Sequence, residues 1–248
     1  MERYLKHQEI IDRSTKINQS YELDTQFFDD VVDDLLNSEL ETEDVILNGF
    51  NRLLSEVDHE IGRIEQFADM TASCFKGCAF CCYFPIIISK MEAKMMIRSI
   101  ENFSEERKQE IYKHWEQYYE NHKDKLEQAF AMDHTADSTK LEYKKLNLPC
   151  PMLNPETQAC MAYEVRPIPC RTYLNYSDPQ VCAENHLPKE PFSYEFLYDF
   201  YFGAINEIVQ ALYENGEDLF IDYPSDVWSY DYLPAWIEKW REGNWNEV

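Results

Sequence analysis

Eight cysteines carry the chemical interest of this 248-residue chain. Four of them stand in the stretch CFKGCAFCC, which places Cys74, Cys78, Cys81 and Cys82 in the order C-x3-C-x2-C-C. The other four follow as Cys150-x9-Cys160-x9-Cys170-x11-Cys182. Thiolates are soft donors suited to zinc, copper(I) and iron–sulfur clusters. Closely spaced ligands also lower the entropy lost in assembling a site. A tight four followed by a spread four is improbable by chance, so the pattern predicts all eight as metal ligands. The metal is zinc or iron, the iron either as an ion or as a 4Fe-4S cluster. Buried thiols without metal, and disulfides, are the competing readings.

Geometry limits how the first four can act. As a helix, Cys74 to Cys82 would rise about 12 Å, whereas two sulfurs on one zinc lie only about 4 Å apart. A helical Cys74 and Cys82 therefore cannot share an ion. A loop wrapped around the metal could gather Cys74, Cys78 and Cys81, with the adjacent Cys81 and Cys82 pointing to different sides. Completion then comes from Cys150, Cys160, Cys170 and Cys182, either as two sites of roughly four ligands or as one site with spare thiols. His186, four residues after Cys182, is a spare nitrogen donor; the other histidines read as structural or exposed. Arg166 and Arg171 flank Cys170 and could offset the charge of a four-thiolate centre, about −2, or form ordinary ion pairs, for example with Glu164. Pro151, Pro167 and Pro169 would stiffen the ligand loops by fixing backbone angles.

The elements that must position these thiols are helices. Glycine is scarce, with 6 residues, and β-branched alternation is rare. From Thr42 to about Met70, apolar residues recur at Ile46, Phe50, Leu53, Val57, Ile61, Ile64 and Ala68, one continuous helical face. SKME at 89–92 is a capping box that starts a helix through Met95, Met96 and Ile100. Met91, Met95 and Met96 suit a buried helical face better than a copper site. A further helix is predicted from about Ser104 to Ala131, with Ile111, Trp115, Tyr118, His122 and Leu126 inward. Another runs from about Ser193 to Asn215, with Leu197, Phe200, Ala204, Ile208 and Ala211 inward and Gly216 as its stop. Pro234 opens a last short helix ending at Gly243. The polar stretch 132–146 reads as a mobile loop, and residues 71–88 and 148–191 as irregular. The fold class is mostly α: one helical domain with irregular cysteine-rich loops. It comprises a helical N-terminal extension (1–70), a cysteine-cluster metal-binding region (71–191) and C-terminal helices packing on it (192–248).

Composition narrows the function. A chain this long can bury a substantial core and needs no cross-links to fold, so the cysteines call for a chemical explanation. The first residues lack a signal pattern and no apolar run is long enough to span a membrane. A reducing cytoplasm is expected, where clustered cysteines usually mean metal or redox chemistry. A net charge of −24 argues against a phosphate-binding surface, and hence against nucleic-acid partners. An apolar content of 44% with 15% aromatics argues against disorder.

Two resemblances attach to these motifs. The C-x3-C-x2-C spacing of Cys74, Cys78 and Cys81, with Phe80 before the third, resembles the cluster loop of radical-SAM enzymes. More of the chain is similar to the YkgJ-like cysteine-cluster family, whose signature is of the C-x-x-C-x-x-C-C type. Its second half, C-P-x-L and then C-x-x-Y-E-x-R-P-x-x-C-R, falls here on Cys150, Pro151 and Leu153, then on Cys160, Tyr163, Glu164, Arg166, Pro167, Cys170 and Arg171. This likeness covers roughly residues 74–182 and implies cysteine-bound zinc or iron, with an iron–sulfur cluster as one form. Flagellin lysine N-methylase carries a distantly similar cysteine domain. Methyl transfer is not carried over, because no Gly-rich cofactor loop follows a strand here.

Three functions follow: a metalloprotein without catalysis, an iron–sulfur enzyme of radical-SAM-like or methyl-transfer type, and a metal chaperone or sensor. The scarcity of alternating strands and helices weighs against a radical-SAM barrel. Whether the protein is an enzyme stays open at this point, as does any protein partner beyond the metal ion.

Overall fold

The computed structural model describes residues 4–75, 77–136, 138–185 and 188–245. The chain is mostly α. Among the described residues the helices are α1 (His7–Ser20), α2 (Gln26–Leu36), α3 (Thr42–Ala68), α4 (Lys90–Glu101), α5 (Glu105–Asn121), α6 (Lys123–Phe130), α7 (Thr139–Lys145), α8 (Ile168–Thr172), α9 (Gln180–Glu184), α10 (Leu197–Glu214), α11 (Ser225–Trp228) and α12 (Leu233–Arg241). The strands are short: β1 (Ile87–Ser89), β2 (Tyr173–Leu174), β3 (Phe192–Ser193) and β4 (Tyr230–Tyr232). No described helix is long and apolar enough to cross a membrane. The chain packs as two compact units, each built from two stretches: Met1–Phe75 with Ile168–Tyr223, and Lys76–Pro167 with Pro224–Val248.

The first unit is organised on α3, which packs against α1, α2, α8 and α10. The stripe read from sequence is its buried face: Ile46, Phe50, Leu53, Val57 and Ile64 are fully buried, and Ile61 and Ala68 nearly so. Gly49 allows α10 to approach, since a Cβ there would stand 2.9 Å from Ile208 Cδ1. Helix α10 starts four residues later than its predicted Ser193, because Phe192 and Ser193 pair antiparallel with Tyr173 and Leu174. Leu197, Ala204 and Ile208 are buried as predicted, while Phe200 and Ala211 are only half-buried. Gly216 does end α10, at φ +80°. Its N–H donates to Tyr213 O at 3.0 Å and that of Glu217 to Leu212 O at 3.1 Å, so two terminal carbonyls are satisfied in a Schellman turn.

The second unit is built around α4. Ser89 Oγ accepts from the Glu92 N–H at 3.1 Å, the cap anticipated from SKME. Met91, Met95 and Met96 are fully buried, so the methionine stripe is core. Strand β1 pairs antiparallel with β4, Ile87 facing Tyr232. The Trp236 indole of α12 donates to Ile88 O at 3.1 Å. α12 has Pro234 in its first turn, and Gly243 follows it at φ +74°. Two expectations are corrected here. The Ser104–Ala131 helix is two helices, broken at His122 (φ −117°, ψ 13°). α6 then restarts on the His122 carbonyl, which accepts from Leu126 N at 2.9 Å, so Leu126 stays buried while His122 is only half-buried. The supposed mobile loop 132–146 contains α7, which buries Thr139, Tyr143 and Lys144.

Candidate metal centre

The first cysteine group is not a helix. The described residues 70–75 and 77–79 lie outside any helix and Phe80–Tyr83 form one 3-10 turn, closed by Cys82 N on Ala79 O and Phe84 N on Cys81 O, both at 3.0 Å. The geometric objection to a straight helix is thereby met. The division into units runs through this motif. Cys78, Cys81, Cys82, Cys150 and Cys160 belong to the second unit, while Cys74, Cys170 and Cys182 belong to the first. Each unit therefore contains thiols from both sequence groups. All eight are present as thiols, with Cys150 buried and Cys74 and Cys81 exposed.

Within the second unit, backbone hydrogen bonds tie the two groups together. Cys150 N–H donates to the Cys82 carbonyl at 2.6 Å, and Leu153 N to Cys150 O at 3.0 Å. Met152 N–H points at Cys150 Sγ, 3.4 Å away. Leu153 and Cys160 face each other across an antiparallel bridge. A hydrogen bond from the Cys82 thiol lowers the pKa of Cys81, with Lys144 adding to that, while burial and Cys78 oppose. Burial pushes the Cys150 thiol well up, and the charges of Cys160 and Cys81 push it further. Cys160 is likewise raised by its surroundings, against the Ala162 N–H and the Arg166 guanidinium. Cys78, Cys82, Cys150 and Cys160 are thus all within electrostatic reach of Cys81.

Helix α5 acts as a splint for the second group. Arg107, His114 and Tyr118 are spaced i, i+7, i+11 and share one face. Tyr118 Oη donates to Pro149 O at 2.7 Å, and Arg107 donates to Met161 O at 2.8 Å and to the Glu164 carboxylate at 2.7 Å. His114 bonds the backbone of Pro151; its burial lowers its pKa and favours the neutral ring. The loops on either side of Cys150 and Cys160 are thus held from one rigid helix. Arg166 lies over the Tyr163 ring, 4.3 Å from its centroid, within electrostatic reach of Cys160.

Sequence reasoning missed Lys144. Its Nζ donates to Phe80 O at 2.8 Å and lies 4.3 Å from the Phe84 ring centroid, clamping both ends of the 3-10 turn that carries Cys81 and Cys82. Nothing in the cysteine spacing points to it, because it comes from a stretch that reads as polar loop. Lys144→Met is expected to destabilise the protein by about 2 kcal/mol, the worth of a charge-assisted hydrogen bond, seen as a lower urea midpoint at constant m. An unchanged midpoint would mean that the clamp carries no stability.

In the first unit, Ser73 N and Oγ both donate to Asn175 O, at 2.7 and 3.0 Å, and Asn175 N–H points at Cys74 Sγ at 3.4 Å. Asn175 is itself locked, its side-chain carbonyl accepting from Ser177 N and Oγ. Cys170 sits in α8, which is anchored on α3 by the buried Arg171 paired with Asp58. Of the two roles considered for Arg171, ion pairing is the one seen, with Asp58 as partner. Cys182 sits in α9. His186 lies outside the described residues.

The donor set is soft, as zinc and iron–sulfur centres require. Its sulfurs interact electrostatically, but among the described residues no three Cys, His, Asp or Glu side chains stand at ligand spacing around one point. Residues 73–189 match the family model named CxxCxxCC, described as a "putative zinc- or iron-chelating domain". The name spells two residues between its first two cysteines, whereas three (Phe75, Lys76 and Gly77) separate Cys74 from Cys78 here. No curated protein and no solved structure matches the chain.

Proposed function

We propose that the protein holds zinc or iron through its cysteine thiolates, because residues 73–189 match the CxxCxxCC family model. The ligands of one centre come from Cys78, Cys81, Cys82, Cys150 and Cys160, and those of a second from Cys74, Cys170 and Cys182. The observation that carries this reading is the family match, supported by the backbone ties that hold Cys82 to Cys150 and Leu153 to Cys160 inside one packed unit. Uncompensated, that many sulfurs are costly to crowd together, since each thiolate formed opposes the next. A bound cation supplies the positive charge that lets several ionise at once. Metal binding in this reading draws the sulfurs in from their present spacing, and the α5 splint and the Lys144 clamp limit how far the loops must move.

A closed all-cysteine centre is structural, so our first reading is a metalloprotein without catalysis. The exposure of Cys74 and Cys81 favours, as a second reading, a chaperone or sensor whose metal can be reached by a partner's thiols. A radical-SAM-like or methyl-transferring iron–sulfur enzyme finds less support, because the described strands are only two or three residues long and form no parallel barrel. Anaerobic purification followed by metal and acid-labile sulfide analysis tests the proposal. Tightly held zinc or iron is expected, with sulfide only if the iron is clustered. A protein that holds neither metal and takes up neither zinc nor iron(II) would sink it.

A further inference from the structure

Helix α5 has a second face. Tyr112, Trp115 and Tyr119 follow at i, i+3 and i+7 and meet α12. Tyr119 Oη donates to Pro234 O at 2.5 Å. The rings of Tyr112, Trp115 and Trp240 form a triangle with centroids 5.7, 5.3 and 5.4 Å apart. These rings, with Glu116 and Arg241, line an open recess of about 320 Å³. Both charged groups are exposed, and they differ in their partners. Arg241 lies over the Tyr119 ring, 4.4 Å from its centroid. The Glu116 carboxylate is exposed and has no ion pair or side-chain hydrogen bond among the described residues.

We propose that this recess receives the arginine or lysine side chain of a polypeptide partner. The half-buried Tyr112 and Trp240 rings attract a cation through their quadrupole, and Glu116 supplies the opposite charge beside them. The rings are held by one another and by α12, so they need not be ordered on binding. A side chain on a passing polypeptide suits a recess this open better than a small cation, which needs to be enclosed on most sides to bind. The net charge of −24 draws basic segments to the protein from a distance.

The experiment titrates the full chain with a short blocked peptide bearing one central arginine, and with its citrulline twin, following tryptophan fluorescence. The arginine peptide is expected to bind about tenfold tighter than the twin. Glu116→Gln should erase most of that difference while leaving near-UV circular dichroism and metal content unchanged. Equal binding of the twins overturns the proposal, as does a Glu116→Gln protein with the full difference, or no saturable signal below about 10 mM. Ethylguanidinium competing as well as the peptide would make this a small-cation site and overturn the polypeptide assignment. The metal reading stands or falls separately, on metal content.

Discussion

Cys81→Ser protein loaded with zinc is expected to lose the metal to a competing chelator at about a hundredfold lower chelator strength than the parent. A structural zinc contributes about 10–16 kcal/mol of apparent binding energy, shared among four ligands. One ligand is then worth roughly 3 kcal/mol, or about two orders of magnitude. Cys81 is chosen because Cys78, Cys82, Cys150 and Cys160 all interact with it. Cys182→Ser makes the complementary comparison. It lies in the other unit, so the metal of the Cys81 group should stay in place and only the remainder should be lost. A chelator titration in which Cys81→Ser behaves as the parent would remove Cys81 from the ligand set. Loss of all metal from Cys182→Ser would merge the two centres into one.

The second large effect has nothing to do with sulfur. Asp226 is fully buried, with Lys94 Nζ at 2.7 Å and Lys90 Nζ at 3.3 Å, and both lysines are under a tenth exposed. Lys90 and Lys94 are one helical turn apart on α4, so both reach the same carboxylate on α11. Asp226→Ala would deprive two buried ammonium groups of this carboxylate. Breaking a buried pair in this way costs about 3–5 kcal/mol, a large share of the stability of a typical domain. The expected result is a large drop in the urea midpoint, or a protein that does not accumulate in folded form. The triple replacement Lys90→Met, Lys94→Met, Asp226→Leu should recover most of the loss, since an apolar trio of similar volume carries no stranded charge. An Asp226→Ala protein as stable as the parent would show that water reaches the lysines.

The strongest sequence signals lie where period and punctuation agree. The α3 stripe, the Ser89 cap, Gly216 and the Pro234-to-Gly243 helix are each legible because one local cause suffices: a face, a capping oxygen, a left-handed residue or a fixed φ. The break at His122 was not legible, because the apolar spacing runs on from Trp115 and Tyr118 to Leu126 without a glycine or proline to mark it. Helix α7 was concealed by its polarity. It buries Thr139 and Lys144, and their partners are backbone carbonyls at Asp133 and Phe80, which hydropathy cannot register. At the candidate site the eight cysteines could be named from spacing alone. Their division could not, because it depends on stretches far apart in the chain packing as one body.

That discontinuity sets an order of events during synthesis. The second unit is closed by β4 on β1 and by Trp236 on the Ile88 carbonyl. The ribosome therefore delivers Cys160 and then some seventy-five further residues before the last strand can dock. At about 5–20 residues per second, the nascent thiols wait roughly 4–15 seconds in an unfinished fold. In that interval they are open to capture by whichever soft metal or oxidant reaches them first. The metal that the finished protein carries can thus be decided by supply during translation as well as by equilibrium affinity.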